Sequence, residues 1–368
     1  MNSISSTDGS SKIAVTDVRV FDGRELTMPT TVVIDGAVIG TDPSGAEFVD
    51  AGGAILLPGL IDAHIHLNGP ETLDQLAAYG VTTGLDMATW PPERLAALRK
   101  ESGASDIRSA GTPVIGAGGL HAKVPGMAAD AVITDPGQAD RMVAERAEAG
   151  SDYVKLVLEA PGAGGPDPAA AEAVVAAAHA RGLRVVAHTS SHGAYLIAID
   201  VGVDIVTHVP MDAELSALEV TRMAEQGRVA VPTLAMMEGI ATTRGIPGAI
   251  DRCLATVGAL HAAGVPILAG SDANSQPGVP FHPEHGAALH HELELLVAAG
   301  LTPAEALRAA TILPAKHFGL TDRGEIAPGS RADLVLVEGD PLADISATRA
   351  IARVWCAGVE QRRSPGAA

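Results

Sequence analysis

The chain is poor in aromatic residues, 2% of 368, and it has two cysteines. Cys253 and Cys356 stand about a hundred residues apart in a long chain, which is no disulfide framework; they read as reduced core thiols of a cytoplasmic protein. Positive charge is scarce too: 25 Lys plus Arg face 44 Asp plus Glu, a net charge of −19 at pH 7. Duplex binding runs on cations neutralising phosphates, so nucleic acid is excluded as a partner, and an anionic membrane surface with it. No apolar run approaches the roughly 20 residues of a membrane helix. The N-terminal MNSISSTDGSSK lacks the apolar stretch of a signal peptide, so neither insertion nor secretion is expected. Lysine is confined to Lys12, Lys100, Lys123, Lys155 and Lys316.

What is present is mostly small and apolar, 47% hydrophobic with 41 glycines. The length exceeds the usual domain of about 100–150 residues, while α/β barrels reach about 250, so one large unit with a small one is expected. Between residues 13 and 50, strand-like runs such as IAVTDVRVFDG and TVVIDGAVIG are broken by Asp-Gly pairs that favour tight hairpins. RADLVLVEGDPLADI and ARVWCAGVE, near the other end, have the same texture. The two ends, residues 1–57 and 323–368, are therefore expected to pair into a small β-sandwich domain.

Residues 58–322 differ. Strand-like LIDAHIHL, VTTGLDM, TPVIGAG, YVKLVL, LRVVAHT, VDIVTHV, RVAVPTL and PILAGSD are separated by helical stretches such as ETLDQLAAYG, DRMVAERAEAG, PAAAEAVVAAAHARG and GAYLIAIDVG. Eight alternations of strand and helix predict an α/β fold, a parallel (β/α)8 TIM barrel. Such barrels carry their chemistry at the C-terminal ends of the strands. His64, His66, Lys155, His188, His208 and Asp272 fall at or near those ends.

His64 and His66, two apart on a strand, share one face. A lone pair of this kind is as well read as two satisfied histidines, but His188 and His208 close later strands and bring two more imidazoles to the same mouth. Asp272, alone, would read as a helix N-cap. Beside four histidines, a carboxylate and imidazoles in one cavity are best satisfied together by a divalent cation. Lys155 lies inside the apolar run of YVKLVL. Burial favours its neutral amine, and a neutral amine can add CO2 to give a carbamate able to bridge two cations. The alternative is an ion pair with a nearby Asp or Glu.

PGLIDAHIHL, GVTTGLDM, AGSDYVKLV, VVAHTSS, VGVDIVTHVP, ILAGSDA and the closing LTPAEALRAATILPAKHFGLTDRGEIAPGSRADLVLVEGDPL together resemble the amidohydrolase superfamily, in its imidazolonepropionase-like and prolidase-like branch. The resemblance implies a binuclear centre, with His64, His66 and Asp272 on one ion, His188 and His208 on the other, and carboxylated Lys155 and a hydroxide bridging them. Zinc is the first expectation, with Mn, Fe, Co or Ni as alternatives. The implied reaction is hydrolysis of a small amide at its C–N bond, Asp272 acting as general base and acid. A lactone or carbamate hydrolase and a one-metal deaminase remain alternatives, and a metal-free binding scaffold is the reading from another class.

His121, in GAGGLHAKVPGM, stands where relatives carry a Gly-Gly-His segment and is expected to help hold the carbonyl oxygen. Asp86 resembles a structural aspartate of the family. Trp90, Tyr195 and Met236 are expected to line the substrate, though packing under loops accounts for methionines near the mouth equally well. Lys123, Tyr195 and Arg244 are candidates to grip a substrate carboxylate. His282 and His285 lie in the loop after the last strand, within reach of substrate, while His290 and His291 belong to the following helix. His192 reads as a capping or solvent residue, and His179, His261 and His317 as ordinary helix residues. The expected partner is a small molecule, with neither nucleic acid nor membrane; a homo-oligomer is left open.

Overall fold

The computed structural model describes residues 12–101 and 104–361. Residues 1–11, which hold nearly all of the MNSISSTDGSSK stretch, and residues 362–368, at the end of the expected small domain, lie outside the described residues.

Strands from the two ends of the chain share one eight-stranded sheet. Ile13–Val20, Thr30–Asp35, Val38–Gly40, Glu47–Asp50 and Ile55–Pro58 come from one end, and Leu334–Val337, Ile351–Cys356 and Val359–Glu360 from the other. The ends join where Leu334–Val337 runs antiparallel to Ile55–Pro58, with Leu334 opposite Pro58 and Val337 opposite Ile55. Both strands are buried at every position and lack polar alternation, as strands covered on both faces should. Val15, Val18, Ile34, Leu56, Leu334 and Trp355 form this sheet's own core.

The middle of the chain has a TIM-barrel-like α/β arrangement. Leu60–Ile65, Val81–Asp86 and Asp106–Ser109 form one parallel ladder, and Val154–Val157, Val185–His188, Ile205–Thr207 and Val229–Val231 another. Parallel bridges link Val114 to Leu156, Ala230 to Ile267 and Ile65 to Ala273. The expected eighth strand, PILAGSD, thus carries one isolated bridge, at Ile267, with another at Ala273 just past its end, rather than a ladder. Helices Pro70–Ala78, Ala139–Glu148, Pro168–His179 and His192–Val201 cover the four helical stretches read from the sequence.

The third strand corrects the expectation. TPVIGAG was to carry it, but the regular ladder lies earlier, at Asp106–Ser109, and only Ile115–Gly116 of the expected run is strand. Pro113 has no N–H to give a ladder, and Gly111 turns the chain with φ of +63° before Val114 reaches the fourth strand. The seventh is also shorter than RVAVPTL, because Pro232 ends it at Val231 and a helix starts at Leu234.

Near the N-terminal ends of the first three strands, the C-terminal segment is pinned by a buried guanidinium. Arg323 Nη1 donates to Asp106 Oδ2 at 2.7 Å and to Thr83 Oγ1 at 2.9 Å, and its Nε donates to Asp322 Oδ1 at 2.8 Å. Asp333 accepts from Arg331 Nε at 2.9 Å, while its backbone carbonyl accepts from Gly59 N–H at 2.7 Å. Among the described residues no helix is long and apolar enough to cross a membrane.

Candidate metal centre

Alternation along Leu60–Ile65 puts Asp62 and His64 on one face, continued by His66. Asp62 lies deepest, fully buried, and accepts from Ser271 N–H at 2.9 Å, Ser271 Oγ at 2.5 Å and His64 N–H at 3.2 Å. It ties the first strand to the eighth, and burial pushes its carboxyl up to about 7. Above it, Asp272 Oδ1 sits 3.3 Å from His64 Nε2 and 3.2 Å from His66 Nε2, and Oδ2 sits 3.9 Å from His208 Nδ1. One candidate ligand atom from each of His64, His208 and Asp272 lies within 4.8 Å of the others, so these three buried residues could hold a metal ion.

The imidazoles crowd. Ring centroids are 4.4 Å apart for His188 and His208, 4.9 Å for His64 and His208, and 5.5 Å for His64 and His66. Burial, with the neighbouring rings and Lys155, drives the imidazoles of His64 and His188 well below the usual histidine range. Burial takes His208 down to about 3. These rings are neutral at physiological pH, each with a lone pair to give, which is the form that binds cations. Burial opposes ionisation of Asp272, yet the hydrogen bond with His66 and the His208 ring hold its carboxyl below the usual range. Among the described residues, Nδ1 of both His64 and His66 is buried without a hydrogen-bond partner. The neutral imidazoles of His64, His188 and His208 around an ionised carboxylate are a donor set suited to a borderline divalent cation.

The backbone tells the same story. His208, Thr233 and Asp272 follow the sixth, seventh and eighth strands with φ of 71°, 50° and 55°. Non-glycine residues in this left-handed region cost about 1–2 kcal/mol each, and such conformations gather at functional sites.

Lys155 is buried inside Val154–Val157, and among the described residues its side chain makes one hydrogen bond, from Nζ to Thr207 Oγ1 at 3.0 Å. Among the described residues no carboxylate lies within ion-pair distance of Nζ. Burial pushes its ammonium down to about 7, so a large share of neutral amine exists at neutral pH.

His121 stands at the edge of this group, its ring 4.6 Å from that of His188 and its Nδ1 3.4 Å from Glu159 Oε1. Glu159 lies two and four residues beyond Val157 and Lys155 on the same run. Sequence reasoning passed over it, together with Asp62, Ser271, Thr207 and Thr233; the signal for Glu159 was the period of two. Asp86, fully buried, accepts from Leu67 N–H at 3.1 Å and from the Ser109 hydroxyl, and burial raises its carboxyl. His285 donates from Nε2 to the His66 carbonyl at 2.8 Å, and His282 Nδ1 meets Asn274 Oδ1 at 2.9 Å. The loop after the eighth strand thus braces the His66 backbone and the Asn274 side chain.

Trp90 Nε1 donates to the Gly126 carbonyl at 2.8 Å, linking the loops after the second and third strands. Met236 and Tyr195 are buried and pack in the main apolar cluster, with no partner for the Tyr195 hydroxyl. Lys123 and Arg244 are exposed. His192 opens its helix behind the Ser191 cap and meets Glu219 at 3.1 Å. His290 is buried between Thr348 Oγ1 and the Tyr79 carbonyl.

Residues 55–360 match the model of the amidohydrolase family. An uncharacterized protein of Mycobacterium tuberculosis (strain ATCC 25618 / H37Rv) is 30% identical over 348 residues, 84% of this chain and 85% of that protein. An imidazolonepropionase of Deinococcus radiodurans is 32% identical over 195 residues, covering 50% of this chain and 43% of the relative. The solved structure of a Xaa-Pro dipeptidase with bound methionine superposes with a TM-score of 0.82 at 22% identity, over 95% of this chain and 99% of that one. With the histidine and aspartate cluster at the strand ends, these findings make the chain a member of the amidohydrolase family, and so a hydrolase acting on carbon–nitrogen bonds.

Proposed function

We propose that the protein is a binuclear metal-dependent amidohydrolase that cuts the C–N bond of a small amide. His64, His66 and Asp272 would hold one divalent ion and His188 and His208 the other, zinc first among the candidates, with Lys155 present as its carbamate between them. The observation that carries this reading is the meeting of His64, His208 and Asp272 beside a buried lysine whose amine, among the described residues, meets a threonine hydroxyl and no carboxylate. Divalent ions in such a site acidify water and polarise a carbonyl oxygen.

The residues' own parts follow from their states. Asp272, kept ionised, can take a proton and return it to the departing nitrogen. His121, with Glu159 beside Nδ1, can turn Nε2 toward the carbonyl oxygen. The neutral amine of Lys155 adds CO2 and releases one proton, becoming an anion where a cation would repel the metals. Trp90, Tyr195 and Met236 remain our candidates to line the substrate, Trp90 the most accessible of them. We also infer that the eight strands close into a full barrel over residues 58–322, with the bridges beside Ile267 and Ala273 as support, and that residues 1–57 and 323–368 make a β-sandwich domain. A cytoplasmic location fits the reduced cysteines.

Relatives named for a cyclic amide and for a prolyl dipeptide put linear and cyclic amides first as substrates. Metal analysis joined to a substrate panel tests the proposal. Two equivalents of metal per chain and turnover of amides are expected. One equivalent with release of ammonia from an amino-substituted ring would replace this reading by a deaminase, turnover of lactones alone by a lactonase, and no metal by a scaffold.

A further inference from the structure

A ligand histidine must offer one ring nitrogen while something fixes the other, and at His208 that partner is itself oddly placed. Thr233 Oγ1 lies 2.8 Å from His208 Nδ1, with both residues buried. Thr233 occupies the N-cap position of helix Leu234–Arg244, where a threonine hydroxyl ordinarily accepts from an N–H of the first turn. Here its side chain makes no cap hydrogen bond, and its φ of 50° is one that β-branched residues rarely take.

The helix start is served from elsewhere. Glu292, on helix Ala287–Ala298, accepts from the Ala235 N–H through Oε2 at 2.8 Å. Its side chain is fully buried, and among the described residues Oε1 has no partner. A buried carboxyl with an unpaired oxygen is a costly way to cap a helix, and a threonine already stands at the cap position. The exchange releases the Thr233 hydroxyl to His208.

We propose that Thr233 and Glu292 are positioning residues for His208: Glu292 caps the helix, Thr233 is thereby held with its hydroxyl on Nδ1, and Nε2 is left to bind a divalent cation. The inference rests on the metal-site reading above. A hydroxyl accepting from Nδ1–H places the neutral ring's lone pair on Nε2, and such partners of ligand histidines typically set metal affinity by about 10–100-fold.

Cobalt(II) affinities of the full chain, stripped of metal and measured by chelator competition, test this. The wild type is expected to bind two ions. Thr233→Val should weaken one of the two by about 10–100-fold and spare the other, while Thr233→Ser restores it. Glu292→Ala should weaken the same ion, and the double variant should be no weaker than Thr233→Val alone, as expected of residues acting in series. Glu292→Gln, whose amide oxygen still accepts from Ala235, should stay near wild type. Circular dichroism reports folding; should Glu292→Ala not fold, the near-isosteric Thr233→Val decides alone. Unchanged affinities in Thr233→Val, or effects of the two substitutions that multiply, would overturn the proposal while leaving the metal site standing. A wild type that takes up no cobalt would overturn both.

Discussion

The strands carry buried charge near both ends, and the two groups are built on opposite terms. Near the N-terminal ends, Arg323 is shared among Asp106, Asp322 and Thr83, with Asp333 and Arg331 beside it. Its donors have oxygens to meet, and the guanidinium stays charged. At the C-terminal ends, among the described residues, His64 Nδ1 and His66 Nδ1 have no partner, Lys155 has a single hydroxyl, and three non-glycine residues sit at positive φ. A charge group that only holds the fold together is self-satisfied; one left with unpaired nitrogens and a strained backbone is arranged for something the chain itself does not supply.

Substitutions should therefore separate the two ends by what they damage. The largest effect is expected from Asp272→Asn, which removes the proposed proton carrier: kcat/KM on a responsive amide should fall by about 10²–10⁴-fold, with thermal unfolding near wild type. Arg323→Met is the mirror case. It removes the buried cation beside Asp106, which keeps Arg108, and Asp333, which keeps Arg331, and should cost about 3 kcal/mol in urea unfolding, the low end for a broken buried pair, with activity per folded molecule retained; a specific loss of activity would break the comparison.

A third test uses acid. Burial holds the His290 imidazole down at about 4 against an ordinary 6.5. A depressed folded-state value contributes stability that is complete above 6.5 and is lost as pH falls through about 4. In denaturant titrations the wild type should lose about 3 kcal/mol more than His290→Asn between those limits, the other buried imidazoles contributing alike to both. The smallest effect belongs to the loops over the mouth. Trp90→Phe removes the hydrogen bond to Gly126 and should raise KM by roughly fivefold, about 1 kcal/mol, leaving kcat alone.

Much of the site was legible because strands announce themselves by period and composition. A histidine or lysine closing a run of Val, Ile and Leu stands out, as at Lys155, His188 and His208. Pairing of the chain ends was legible from their shared strand-and-turn texture, and the sheet joins them at Ile55–Pro58 and Leu334–Val337. What stayed hidden were residues whose meaning lies in a distant partner. Asp62 and Ser271 are 209 positions apart, and Glu292 meets Ala235 from another helix. Thr233 and Thr207 look like any threonine at a strand end until an imidazole or an amine is found against them. The third strand was misplaced because apolar character outweighed Pro113, whose missing N–H breaks the ladder. Burial of Met87, Met236 and Met237 equally suits packing under the loops, a choice that composition could not make.

Anomalous diffraction at the zinc edge, from crystals of zinc-loaded protein, tests the two-metal reading most directly. Two peaks are predicted at the mouth, one against His64, His66 and Asp272 and one against His188 and His208, with density for a carboxyl group continuing from Lys155 Nζ between them. A single peak, or two peaks with Lys155 ending in a bare amine, would contradict it.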